Sequence, residues 1–200
     1  AKALSYNITN EAGVADRIRF IKNVSGMWLL EESLRYWKSQ GLVLTAADLA
    51  RDASVLTRKQ IIDTNDPRFA KPGAMPERIA EYCRETGQEV PATPAEFARC
   101  IFDSLAHAYA QSLRELEDAA NVKVREINIV GGGSSNELLN QLTADATGLT
   151  VIAGPVEATV LGNLIIQMMS AGWIDSLEAG RTLIAESSDR KTFQPRTVRS

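Results

Sequence analysis

The run Ile127-Asn128-Ile129-Val130-Gly131-Gly132-Gly133-Ser134-Ser135-Asn136 carries the strongest structural signal in this chain. Glu126 to Val130 is compact and β-prone, three glycines end it, and a helical pattern follows at once. Glycine has no Cβ, so the backbone there can take positive φ and a ligand can come close. A helix start offers unpaired N–H groups and the positive end of its dipole. In open α/β sheets, ligands sit beyond the carboxyl ends of strands. Gly131, Gly132 and Gly133 are therefore candidate nucleotide-facing residues. The run is not a P-loop, because no Gly-Lys-Ser/Thr follows, and it is not the dinucleotide fingerprint, because Asn136 stands where the third glycine belongs. The same residues also read as a plain tight turn with Asn136 as helix cap.

Working outward, helices and strands alternate. Before the loop, Thr93 caps a long helix predicted over about 94–119, with Phe97, Ile101, Leu105, Ala108, Leu113 and Leu116 on or near one face. After it, a helix is predicted over 136–147, stopped by Gly148, and a strand over 149–153, ended by Gly154-Pro155. Helices over 156–171 and 176–186 follow. This order argues for an α/β layer with parallel strands. The first half is less regular, and the chain is expected to divide near Pro91-Ala92-Thr93-Pro94. Residues 7–17 read as an extended segment with a turn at Gly13. Met27, Leu30, Leu34 and Trp37 mark a helix over about 25–38, and Thr45-Ala46-Ala47-Asp48 resembles a capping box. Ile61-Ile62 reads as a short buried strand, Asn65-Asp66-Pro67 as a turn, and 76–85 as a helix.

Composition removes several function classes. The net charge of −3 comes with scattered Lys and Arg, which argues against nucleic acid, since phosphate contacts need clustered cations. The most apolar stretch, 160–169, contains Asn163 and Gln167 and is too short to span a bilayer. Neither Cys83 nor Cys100 belongs to a Cys-x-x-Cys pair, and with one histidine, His107, the common zinc constellations fail. No signal-peptide pattern opens the chain, so a cytoplasmic setting with reduced thiols is expected. The sequons at Asn7 and Asn23 then read as chance matches. His107 reads as a surface or packing residue, Glu157 as a complement to a helix start, and Asp48, Asp63 and Asp66 as caps and turns. Asn23 and Gly26 stand where an extended segment gives way to a helix. An Asn there can serve a sugar hydroxyl as donor and acceptor, or simply cap.

An ordered set of motifs resembles the FGGY family of carbohydrate kinases, and within it the branch acting on L-rhamnulose. It comprises Asn7-Ile8-Thr9-Asn10-Glu11, Lys22 to Leu30, Asn65-Asp66-Pro67-Arg68-Phe69, and Ala98-Arg99-Cys100-Ile101-Phe102-Asp103-Ser104-Leu105-Ala106. Ile129 to Gly133, Leu138 to Leu142 and Ala153 to Ala158 complete it. The resemblance implies an actin-like (ribonuclease H-like) α/β domain: the C-terminal, nucleotide-binding half of a sugar kinase, lacking its first strands. It implies one domain over residues 1–200, with residues 40–93 an irregular, helical insertion. It implies that Gly132, inside the loop Gly131–Gly133, touches ATP, that Asn23 faces the sugar, and that Glu31 stands where relatives often place a nucleotide-approaching Gln. Some relatives bridge cysteines matching Cys83 and Cys100. A second pair falls on Thr143 and Thr147, which cannot form one.

The family transfers the γ-phosphate of ATP, with Mg²⁺, to a sugar hydroxyl, here O1 of L-rhamnulose. Its first phosphate loop, most sugar contacts and its catalytic aspartate precede the part resembled here. The resemblance thus implies no catalytic residue and no metal ligand in these 200 residues, a missing N-terminal kinase domain as partner, Mg²⁺ held by that half and by ATP, and no activity of this chain alone. Two other readings stay open: another FGGY kinase such as a fuculokinase or xylulokinase, and a non-catalytic actin-like nucleotide-binding module.

Overall fold

In a computed structural model, residues 2–14, 16–57 and 60–196 are described. The chain divides into two compact units, Ala1–Val124 and Arg125–Ser200. The boundary thus falls after the long helix, not at Pro91–Pro94. The reason lies in that helix, α5 (Pro94–Ala120), which buries Ile101, Phe102 and Leu105 in the first unit and packs on α3 (Ala46–Ser54). Asn121 ends α5 in the left-handed conformation at φ 52°, and the Glu117 carboxylate accepts from the Val124 amide at 2.9 Å.

The first unit opens with a short helix, α1 (Lys2–Ser5), and an antiparallel hairpin, β1 (Ile8–Ala12) with β2 (Ile18–Lys22), in register Ile8 to Lys22. The sequence reading has extended chain within 7–17 and again just before Asn23, but not their pairing as a hairpin. β2 carries exposed Ile18 and Phe20 and shows no buried alternation, so its sequence gives no clear period. Helix α2 (Trp28–Ser39) buries Leu29, Leu30 and Trp37, and the Trp37 ring meets Phe97 edge-on at 6.2 Å. Thr45 caps α3, accepting from the Asp48 amide. A 3-10 turn over Pro67–Ala70 and helix α4 (Met75–Glu85) complete the unit. The predicted strand at Ile61-Ile62 does not form. No neighbouring strand offers it an edge; instead side chains take its backbone groups. Ile61 N–H donates to Gln88 Oε1 at 2.8 Å, Gln88 Nε2 donates to Ile61 O at 2.9 Å, and Ile62 N–H donates to Ser104 Oγ at 3.0 Å.

The second unit has a three-stranded sheet of order β3-β4-β5, with β3 (Glu126–Ile129) parallel to β4 (Thr150–Ala153) and β5 (Lys191–Phe193) antiparallel to β4. The predicted parallel pair is present; the edge strand β5 is an addition. Helix α6 (Glu137–Thr147) connects the parallel pair, as such a crossover requires. It buries Leu139, Leu142 and Ala144. Helices α7 (Ala158–Ser170) and α8 (Leu177–Ser187) pack on each other.

Candidate nucleotide-binding loop and flanking residues

In the second unit, β3 delivers the chain into Gly131. That residue sits at φ 75°, ψ −163°, a conformation open essentially only to glycine. Gly131 N–H donates to Pro155 O at 3.1 Å, and Gly154 N–H donates to Ile129 O at 2.8 Å, so the turns after β3 and β4 are tied together. Gly132–Ser135 form one 3-10 turn. Ser134 closes it: its amide (3.0 Å) and its hydroxyl (2.7 Å) both donate to Gly131 O. The leading amides, on Gly132 and Gly133, find no acceptor among the described residues, as expected for the first amides of a helical turn. Gly132 is exposed, and a Cβ placed on it would meet nothing within 4 Å.

The start of α6 is capped, as one of the two readings from sequence has it. Asn136 Oδ1 caps it, accepting from the Leu139 amide at 3.0 Å. The cap reading and the ligand-facing reading are thus both compatible with the loop, because they use different groups: Asn136 serves α6, and the Gly132 and Gly133 amides of the 3-10 turn keep no acceptor among the described residues.

In the first unit, Asn23 follows β2 directly and is exposed. Lys22, just before it, is fastened. Its ammonium donates to Tyr6 O at 3.0 Å and pairs with Glu115 on α5, both side chains less than a fifth exposed. Gln111 Nε2 donates to the other Glu115 oxygen at 3.0 Å. The Lys22 hydrogen bond holds the Glu115 carboxyl below its ordinary value against the opposing effect of burial. These holders were not singled out from sequence, since one Lys and one Glu 93 positions apart leave no local pattern. Beside them lies a cavity of about 410 Å³ lined by Asp63, Asn65, Tyr82, His107 and Gln111. Glu31 sits exposed in the first turn of α2. Its neighbour Glu32 is buried and accepts from the Gly73 amide at 2.8 Å. Asn23 and Glu31 thus belong to one unit and the glycine loop to the other.

Cys83 and Cys100 are free and buried. Their mutual interaction lowers the Cys83 thiol and raises that of Cys100, which burial raises further. Among the described residues no group of three or more His, Cys, Asp or Glu side chains is placed to hold a metal ion. No helix of the described residues is long and apolar enough to cross a membrane.

A parallel β-α-β unit with a glycine turn at the carboxyl end of its first strand is the arrangement of a nucleotide-binding α/β protein. The description "FGGY family of carbohydrate kinases, C-terminal domain" matches residues 1–171, and the chain belongs to that family. It is 44% identical over 192 residues to a rhamnulokinase of Halalkalibacterium halodurans, covering 96% of this chain and 40% of the relative. It is 45% identical over 197 residues to a rhamnulokinase of Oceanobacillus iheyensis, covering 98% and 41%. With a rhamnulokinase of Enterobacter sp. (strain 638) it shares 46% over 193 residues, 96% and 39%. The chain therefore spans about 40% of the length of these relatives.

Proposed function

We propose that this chain is the ATP-binding portion of a longer rhamnulokinase, which transfers the γ-phosphate of ATP to O1 of L-rhamnulose. The observation that carries this reading is the pair of acceptor-free amides on Gly132 and Gly133 at the carboxyl end of β3, with Gly132 exposed. The fit to ATP is favourable. The turn is exposed at Gly132, and no protein atom lies where a side chain would stand, so a phosphate oxygen can approach the backbone. Gly131 contributes by its conformation, which turns the chain out of the strand. Asn23, held at its base by Lys22, offers its amide to a sugar hydroxyl. Glu31 lies on the nucleotide side. When bound, Mg²⁺ supplies charge neutralisation of the phosphates. We assign its protein contacts, the base for the sugar hydroxyl and most sugar contacts to residues outside this chain.

Phosphoryl transfer is largely positioning and electrostatics, and in this reading the chain's share is to hold the nucleotide by fixed backbone dipoles. Both units are assigned to one FGGY C-terminal domain, because the family match crosses the boundary after Val124, with residues 40–93 as its helical insertion. The setting is cytoplasmic. The test is turnover of L-rhamnulose with ATP and Mg²⁺. The full-length protein is expected to release ADP and form the sugar phosphate, and the isolated 200-residue chain is expected to do neither above buffer. Turnover by the isolated chain would sink this division of labour. A full-length protein that prefers fuculose or xylulose would sink the sugar assignment.

A further inference from the structure

Asn140 lies on α6, is fully buried, and yet is polar. Its Nδ2 donates to Ser134 O at 2.9 Å, while its Oδ1 has no partner. The orientation is fixed by chemistry. With the amide turned over, Oδ1 would face the Ser134 carbonyl oxygen and no proton would lie between them. A buried amide oxygen without a partner is unfavourable, and a leucine of similar volume would avoid it. The group that gains from an asparagine here is the Ser134 carbonyl, and Ser134 is the residue whose amide and hydroxyl close the glycine turn on Gly131 O.

In any helical turn the C=O and N–H groups lie antiparallel along one axis. Gripping the carbonyl of Ser134 from the interior therefore aims the amides at the other end of that turn, on Gly132 and Gly133. The grip itself is rigid, since the Asn140 amide is anchored to Asn136 O at 3.0 Å within α6. We infer that Asn140 is a positioning residue for the nucleotide: through the Ser134 carbonyl it fixes the direction of the Gly132 and Gly133 amides toward the phosphates of ATP. The inference rests on the reading of this loop as an ATP cradle. From the side of α6 the turn is held at two points: the Asn136 amide donates to Gly133 O at 3.2 Å, and Asn140 supplies the one side-chain bond among the described residues.

The test is steady-state kinetics and ADP binding on the full-length protein, with Asn140→Leu, Asn140→Asp, Thr143→Val and Gly132→Ala. Leu fills the volume without the donor. Asp keeps the shape and, when ionised, opposes the Ser134 carbonyl. Thr143 is a buried polar neighbour on the same helix whose hydroxyl donates to Leu139 O at 2.7 Å, within α6 itself, and so controls for loss of a buried polar group. Both Asn140 variants are expected to raise KM for ATP and Kd for ADP about tenfold, the loss of one hydrogen bond's worth of orientation. KM for the sugar and kcat should stay within about twofold, and Thr143→Val should leave ATP unaffected. A KM for ATP within twofold of wild type in Asn140→Leu overturns the inference, as does a parallel rise of both KM values tracking lowered melting. Where the Leu variant gives no folded protein, the Asp variant decides by the same criteria. If Gly132→Ala leaves KM for ATP intact, the ATP reading of the loop itself fails, whatever Asn140 does.

Discussion

Neighbouring glycines in one loop should fail in opposite ways. Gly131 sits at φ 75°, ψ −163°, and the nearest atom to a Cβ built there is Val156 O at 4.0 Å. An alanine at 131 therefore meets no clash, and its whole cost is backbone strain, about 1–3 kcal/mol. Gly132 lies in the 3-10 turn without positive φ, and a Cβ there has open space to 4 Å. Alanine at 132 should leave stability unchanged or raise it by about 0.4–1 kcal/mol through a less flexible unfolded chain. In the ligand-bound state the order reverses. The methyl group at 132 stands where a phosphate oxygen must come to reach the amide. Losing one charge-assisted hydrogen bond is worth about 1.5–3 kcal/mol, or about 10- to 100-fold in Kd for ATP. The assays are urea unfolding, read as a shift of the midpoint at constant slope, and calorimetric titration with ATP. Gly131→Ala should lower the midpoint; Gly132→Ala should lower affinity and leave the midpoint in place or raise it. A Gly132→Ala protein that binds ATP within twofold of wild type would refute the phosphate-cradle reasoning. A Gly131→Ala protein as stable as wild type would refute the assigned backbone conformation.

Glu31→Gln removes an exposed negative charge from the first turn of α2, which the proposed function brings near the nucleotide. KM for ATP should fall about two- to fivefold at low salt and the gain should shrink at 1 M salt; unchanged KM removes Glu31 from the site. The Glu115 carboxyl is held below its ordinary value of 4.5 by Lys22, so its contribution to stability is present above that pH and is lost as pH falls through the lower folded value. Glu115→Gln should therefore be less stable at pH 6 and lose less stability between pH 5 and pH 3 than wild type in urea titrations; parallel pH curves would contradict the pair. Cys83 and Cys100 are 0% and 1% exposed. The reduced native protein should leave a thiol reagent unreacted over minutes and yield two thiols after denaturation, and fast native labelling would contradict the burial.

The elements legible in the sequence are those whose period and end signals agree. Thr93, Pro94 and Glu96 announce α5, and the structure uses all of them: Thr93 Oγ1 accepts from the Glu96 amide at 3.3 Å, and Glu96 accepts from the Ala92 amide at 2.6 Å. Gly148 ends α6 at φ 71° as its position suggests. The parallel pair β3 and β4 is readable because apolar β-formers run straight into glycine at both. The misses share another cause. The pairing of β2 and the whole of β5 escape because both strands are short and mostly exposed, so burial leaves no alternation in their sequence. Ile61-Ile62 is apolar enough for a strand, and only the side chains of Gln88 and Ser104, far along the chain, decide that it is none. The expected division at Pro91–Pro94 failed for a related reason. Proline marks where a helix may begin, and it says nothing about which partner the helix will bury against.

The same distinction governs the site. Gly131 to Gly133 could be named from sequence because glycine reports a backbone requirement directly. Asn23 and Glu31 could be named only through resemblance, because a single exposed polar residue has many uses. Asn140 and Lys22 could not be named at all, since each acts on another residue: Ser134 in one case, Glu115 in the other. Composition does not record such pairs. The consequence for α6 is specific. The reading from sequence left open a ligand at the glycine loop and a plain cap by Asn136, and Asn136 does cap α6, accepting from the Leu139 amide. In the proposed reading a phosphate at this loop is met one turn earlier, by the Gly132 and Gly133 amides, which the Asn136 cap does not cover. An asparagine cap at 136 and a nucleotide at 132 then cease to be competing explanations. Because the cap and the proposed nucleotide contacts use different groups, Asn136→Ala should weaken α6 without improving ATP binding, even though it frees the Leu139 amide.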